Sequence, residues 1–137
     1  LAALTLGADG VQIGSRFVTS SESSAHINFK EEVIKAQDGD THLTLKELAP
    51  VRLIKNRFYN ELQDLYRENA SVDQLKEKLG RGRSKKGMFE GDLEDGELEI
   101  GQIAGLIHEI KPSAEIVSEI VNEFNEVSAQ LQFWKLK

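Results

Sequence analysis

Apolar residues in this chain recur mostly at helical spacing, with few stretches that alternate. Leu1 to Leu6 (Leu-Ala-Ala-Leu-Thr-Leu) reads as the last turns of a helix, closed by Gly7. Val11 and Ile13 lie between glycines, so Gly10–Ile13 is predicted as a short buried parallel strand. Thr19-Ser20-Ser21-Glu22 has the spacing of a capping box, in which the glutamate reaches back to the cap N–H. It precedes a predicted helix over about Ala25–Gln37 with Phe29, Val33, Ile34 and Ala36 on one side. Asp38-Gly39-Asp40 is a turn, and Thr41–Leu45 alternates as a short strand does. Pro50 introduces Val51–Ile54, followed by a helix from about Asn56 to Asn69 carrying Phe58, Leu62, Leu65 and Tyr66. Ser71 with Gln74 is a second capping box, and Gly80 stops the Val72, Leu75, Leu79 stripe. Gly101–Ile107 opens another short helix, which Lys111-Pro112-Ser113 breaks. The longest helix, about Ser113–Leu131, keeps Ile116, Val117, Ile120, Val121, Phe124 and Val127 in a helical period.

This is a helical chain with one or two strands, an odd balance for a free-standing α/β domain. It is natural for the last unit of a larger barrel with helical additions. The chain also opens on Leu1, inside apparent helix and without an initiator methionine, so it is expected to be the C-terminal part of a larger protein. Its 137 residues, 39% hydrophobic, are enough for a real core. A net charge of −6 argues against a general nucleic-acid partner, which wants a basic face. No apolar run reaches the roughly 18 residues of a membrane span, and no secretory signal is visible. The absence of cysteine excludes disulfides, thiolate metal sites and cysteine nucleophiles, and fits a cytoplasmic setting.

The candidate chemistry lies at strand and helix ends. Gly14-Ser15 follows the predicted strand and offers backbone donors, a hydroxyl and little bulk, which is what a phosphate needs. An α/β barrel holds phosphate at such a strand end, but glycine-serine after a strand is also a common plain turn. Gln12 on the same strand could orient a neighbouring loop or reach a ligand. Gly101-Gln102 repeats the pattern of glycine before a helix, either for an anion or for close packing. His26, His42 and His108 are scattered and lack metal-ligand spacing, so no metal is expected. Ser15 has no nucleophile-elbow context. The acidic run 90–97 lacks the spacing of a calcium loop and reads as a solvated loop paired with the flexible basic run Arg81–Gly87.

Taken in order, several segments resemble the C-terminal third of the nitronate monooxygenase (2-nitropropane dioxygenase) family. These flavin-dependent barrels also include the FMN-type enoyl-acyl-carrier-protein reductases. The matching pieces are Gly7–Phe17 (Gly-Ala-Asp-Gly-Val-Gln-Ile-Gly-Ser-Arg-Phe), Glu22-Ser23 with Ala25-His26, and Phe29-Lys30-Glu31. Pro50–Asn56 and Gly101–Ile107 then recur in the same order. The resemblance implies an α/β fold, the C-terminal fragment of an FMN-binding (β/α)8 TIM barrel. Residues 1–37 would be the last βα unit, and 38–137 a helical extension packed on the barrel. It implies that Gly14 and Ser15 hold the FMN phosphate, with Gln12 and Ile13 lining the same edge. Many members carry threonine where this chain has Ser15, a change that leaves backbone donation intact.

By the same resemblance, the flavin-ring contacts, the preceding phosphate-loop glycines and the histidine base of nitronate-oxidising members would lie upstream of Leu1. No catalytic residue is therefore assigned within the chain, and the fragment alone is expected to be inactive. The implied substrates of the whole protein are a nitronate, oxidised with oxygen, or an enoyl thioester, reduced with a nicotinamide cofactor, NAD(P)H. No nucleic acid or membrane partner is expected, and a homo-oligomer is left open. Two other readings stay open at this point: a phosphate-binding barrel without flavin, and a small helical interaction domain using the apolar face of 113–131.

Overall fold

A computed structural model describes residues 1–131. Residues 132–137, the tail of the expected extension, lie outside the described residues. Helix α1 (Ala2–Thr5) ends at a glycine turn, and α2 (Ser15–Val18) follows an extended loop. Helix α3 (Ile27–Lys35) leads into an antiparallel pair, β1 (Thr41–Thr44) and β2 (Val51–Ile54), with Thr41 opposite Ile54 and Thr44 opposite Val51. Helices α4 (Arg57–Arg67) and α5 (Val72–Leu79) come next, then a π-helical turn at Lys85–Phe89 and a 3-10 turn at Gln102–Leu106. The last described element is α6 (Ser113–Leu131).

Local signals set most of these boundaries. Asn56 caps α4 by accepting from the Tyr59 N–H at 2.9 Å, and the Phe58 N–H donates to Glu94 O at 3.0 Å, so two orphan donors at that end have partners. Ser71 and Gln74 close the predicted capping box in both directions, at 3.3 and 2.7 Å. Gly80 ends α5 with a φ of +64°, a torsion that side chains with a Cβ rarely adopt.

Two expectations fail at the N-terminal end. Gly10–Ile13 forms no strand among the described residues. Val11 stays 62% exposed and Ile13 39% exposed, so the segment is an open extended loop and not a buried strand. A parallel strand needs a neighbour to take its N–H and C=O groups, and none of the described segments supplies one there. The Thr19–Glu22 capping box is also absent. Thr19 closes α2, His26 is the cap of α3 through Nδ1 accepting from the Asn28 N–H (3.1 Å), and Glu22 is used elsewhere.

The core forms two adjoining clusters. In one, Phe29, Val33 and Ala36 from α3 meet Ile54, Leu98, Ile100, Ala104 and Ile107, so residues on both sides of position 37 share one interior. In the other, Leu45 and Leu53 meet Phe58, Tyr59, Leu62 and Leu75. Helix α6 behaves differently. Only Ile116 of its apolar stripe is buried, while Val117, Val121, Val127 and Leu131 lie open.

In the 81–99 segment the expected pairing of the basic and acidic runs is present, but the segment is ordered and partly buried where its charges suggest a flexible, solvated loop. Arg83 sits over the Phe58 ring at 4.4 Å and donates to the carbonyls of Leu79, Lys78 and Asp95 at 2.8–2.9 Å. Lys86 pairs with Asp92 at 3.0 Å and Asp95 at 3.5 Å, and Arg57 Nε donates to Asp95 at 3.0 Å. The Lys86 ammonium and the N–H groups of Asp95 and Glu94 hold the Asp92 carboxyl down at about 2, the Asp95 N–H contributing most. Glu97 is buried in this segment. Burial first, and the neighbouring Glu99 carboxylate second, push its carboxyl up to about 7 against the pull of Arg83.

A folded-state value above the unfolded one means the native chain holds the Glu97 proton more tightly. Stability from this site is complete below about pH 4.5 and is lost as pH rises through about 7. Glu97→Gln is expected to raise the melting temperature at pH 8 and to leave it almost unchanged at pH 4.5. Equal effects at both values in thermal melts would contradict this placement.

Candidate functional site

Gln12, Ile13 and Gly14 lie on the exposed loop that runs into α2, and Ser15 begins that helix half-buried. Gly14 occupies the cap position with φ −103° and ψ −71°, a region open to any residue. A methyl group added there meets no atom within 4 Å. Neither torsion nor packing within the chain therefore demands glycine at 14. Among the described residues, the N–H groups of Ile13 and Gly14 donate to no acceptor of the chain. The loop thus presents free backbone donors around an unobstructed glycine, followed by a hydroxyl.

The hydroxyl is tied to a distant segment. The Gly101 N–H donates to Ser15 Oγ at 2.9 Å. A Cβ at Gly101 would sit 2.6 Å from that oxygen, too close for any real methyl. Gly101 has φ −69° and ψ 162°, an ordinary extended conformation, so an added Cβ would disturb the contact and not the torsion, by turning the Ser15 hydroxyl aside. Of the two sequence readings for Gly101-Gln102, close packing is the one observed, and its partner is the candidate serine.

Strand β2 carries Gly101 to this place. The Ile54 N–H donates to Leu98 O at 3.0 Å, the Ile100 N–H donates to Arg52 O at 3.1 Å, and Leu53 bridges antiparallel to Glu99. Leu98 and Ile100 are buried against α3 on the same stretch. The residues after β2 in space, though far along the chain, thereby extend the small sheet and end at Ser15.

A second set of contacts anchors α6 beside α2, and sequence patterns did not reveal it. Glu22 accepts the Ser113 N–H with both oxygens, at 3.1 and 2.9 Å, and the Ser113 hydroxyl at 2.9 Å. The Ser113 N–H, then Glu22's own N–H and the Ser113 hydroxyl, hold this carboxyl below the usual carboxylate range. Lys111 pairs with Glu109 and Glu119, and Arg16 reaches Glu119 at 3.8 Å and Thr19 Oγ1 at 3.0 Å. Lys30, 5% exposed, donates to the carbonyls of Ser20 and Ser23 at 2.7 and 2.9 Å and so shapes the loop that presents Glu22. Exposed ion pairs are worth about 0–1 kcal/mol, whereas burying an isoleucine is worth ~1.5–3 kcal/mol. Ile116 therefore dominates the docking of α6, and the charged contacts set its direction.

Between α2 and α6 runs an open trough of about 740 Å3 whose walls include Ile13, Ile103, Leu106, Ile116 and Ile120. Its lining also carries Glu109, Glu119, Glu123 and Glu126, of which Glu109 and Glu119 are paired with Lys111 and Arg16 on the same walls, and the candidate anion loop borders the trough through Ile13. His108 lines the same trough, His26 caps α3, and His42 packs against the Tyr59 ring at 5.7 Å while contacting Gly39 O. Among the described residues no three His, Cys, Asp or Glu side chains could hold a metal ion together. No described helix is long and apolar enough to cross a membrane.

The structure is thus an α/β piece whose candidate site is an open glycine-serine loop braced by a second glycine. A family model for nitronate monooxygenase matches residues 1–123. Curated relatives in Staphylococcus aureus, named as probable nitronate monooxygenases, are 31% identical in strain MSSA476 and 30% in strain JH9. Each match runs over 128 residues, 93% of this chain and 36% of the relative. Among solved structures, FabK from Thermotoga maritima superimposes with a TM-score of 0.85 and 40% identity over 96% of this chain and 42% of that one. Its M276A mutant gives 0.79 and 38% over 96% and 39%. The chain belongs to the nitronate monooxygenase family, and its fold is similar to part of FabK. It spans well under half the length of these relatives.

The folded Glu22 carboxyl titrates below its unfolded value, so its cap contributes above the unfolded value and is lost as pH falls through the folded one. Glu22→Ala is expected to speed amide hydrogen exchange at Ser113 and the first turn of α6 while leaving α4 unchanged. Unaltered exchange at Ser113 would refute the cap.

Proposed function

We propose that this chain is the C-terminal portion of an FMN-dependent oxidoreductase and contributes the phosphate end of the flavin site. The observation that carries the proposal is the Gly14-Ser15 loop: free N–H groups and a hydroxyl at a glycine that nothing within the described chain requires. These are the donors an FMN phosphate takes, and the loop is free of obstruction. Gly14 and Ser15 would hold the phosphate, with Gln12 and Ile13 along the same edge. When bound, FMN supplies the electron transfer, and the chain's own part is to fix where the flavin sits.

The proposed architecture follows. Residues 1–37 are the last βα unit of a (β/α)8 barrel, in which Gly10–Ile13 gains its strand partners. Residues 38–137 form an extension packed on the barrel and include the β1–β2 pair. The missing neighbours also account for the open Val11, Ile13 and Leu6.

The reaction proposed for the whole protein is nitronate oxidation with oxygen, on the family match and the curated relatives. Reduction of an enoyl thioester, as in the FMN-type enoyl-acyl-carrier-protein reductases, is the second reading, and the likeness to FabK favours it. That reading adds NAD(P)H as a partner. An alkyl nitronate with oxygen, and an enoyl thioester with NAD(P)H, are the two substrate pairs that separate them.

In the full-length protein, Gly14→Leu is expected to strip most of the FMN, because a branched side chain occupies the approach to the N–H groups. The flavin absorbance per polypeptide after gel filtration measures it. Undiminished flavin in a folded Gly14→Leu protein would overturn the phosphate assignment.

A further inference from the structure

Among the described residues, Ser15 is the only side chain of the loop whose polar atom is engaged from across the fold, and its partner is the backbone N–H of Gly101. A serine hydroxyl has one proton to give and two lone pairs to receive with. A free serine spreads that proton over several directions. Here Gly101 fills one lone pair at 2.9 Å, so the proton cannot point toward Gly101. Accepting one hydrogen bond also polarises the hydroxyl and strengthens the one it donates.

We propose that Gly101 is a positioning residue for the phosphate site: its N–H holds Ser15 Oγ as an acceptor and thereby commits the Ser15 hydroxyl proton to the bound phosphate. The inference rests on the reading that Gly14-Ser15 holds the FMN phosphate. It gives a physical reason for glycine at 101, since any Cβ there sits 2.6 Å from Ser15 Oγ and must displace it. It also gives the extension a role at the site. Residues 98–100 are clamped to β2 by the Ile54–Leu98 and Arg52–Ile100 hydrogen bonds and buried through Leu98 and Ile100, so Gly101 is presented on a rigid edge. Gly101 does not touch the phosphate in this arrangement; it acts through Ser15.

The test is a double-mutant cycle on the full-length protein, with FMN dissociation followed by recovery of free flavin fluorescence. Ser15→Ala removes one hydrogen bond to a charged group and is expected to weaken FMN binding about tenfold. Gly101→Ala is expected to weaken it about as much in the native background and to have no further effect in the Ser15→Ala background. Ser15→Thr, which keeps the hydroxyl, is expected to retain FMN. A Gly101→Ala penalty that is the same with and without the serine hydroxyl, or no penalty at all, overturns the positioning role. If Ser15→Ala and Gly14→Leu both leave FMN affinity unchanged, the phosphate reading itself has failed. If Ser15→Ala weakens binding and Gly101→Ala does not, only the positioning inference has failed. Should Gly101→Ala not fold, the unsubstituted protein carries the test. Its Gly101 amide proton is expected to move to lower field when FMN binds and to lose that shift in Ser15→Ala, and an identical shift in both contradicts the coupling.

Discussion

Everything at the candidate site depends on one close approach, in which the backbone of Gly101 meets the side chain of Ser15 with no space for a methyl group. The serine hydroxyl can rotate away, so the hydrogen bond lasts only where both backbones are held in place. On one side, residues 98–100 pair with β2 and are buried against α3. On the other, α2 is held through Thr19, which is fully buried, and through Arg16 toward α6. Small shifts in either support would open the contact, which is why the core matters to a loop that is itself exposed.

The charges of the chain divide into those that organise it and those that shape its surface. Arg83, Lys86, Arg57 and the carboxylates of Asp92 and Asp95 turn an acidic and a basic run into one ordered unit. At Gly87 and Gly96 the backbones themselves meet, since an added Cβ on Gly96 falls 2.2 Å from Gly87 Cα. Glu22, Lys111 and Glu119 tie the start of α6 beside α2, while its valine stripe stays uncovered. An exposed stripe on a long helix is a liability for a small protein and an ordinary interior surface for a larger one.

Patterns within a few residues were legible in the sequence. The Ser71–Gln74 box and the approximate extents of α4 and β1 follow from near neighbours, although along β1 Thr41 and Thr44 are buried with His42 and Leu43 exposed, not the alternation the residues suggested. The Thr19–Glu22 box misled because its glutamate bonds Ser113 instead of its own neighbours, and spacing carries no information about a partner 91 residues away. The Gly10–Ile13 strand misled for a related reason: its apolar pattern anticipates neighbours that the described residues do not include. At the site, Gly14 and Ser15 were visible as small residues after an apolar run. Their brace at Gly101 was visible only as a glycine before a helix, because which backbone it approaches is decided by the whole sheet edge. The pairing of the 81–87 and 90–97 runs was visible in their opposite charges, but their order and burial were not, because those rest on Arg83 over Phe58 and on the close approach of Gly87 and Gly96.

The central claim is that a nitronate monooxygenase family chain holds the phosphate of FMN on the Gly14-Ser15 loop. The most direct measurement is a crystal structure of the full-length protein loaded with FMN. The account predicts phosphate oxygens within about 2.7–3.2 Å of the Gly14 or Ser15 N–H groups and of Ser15 Oγ, with the Gly101 N–H still on that oxygen. A phosphate bound by another loop, with Gly14 and Ser15 facing only solvent or protein, would contradict it.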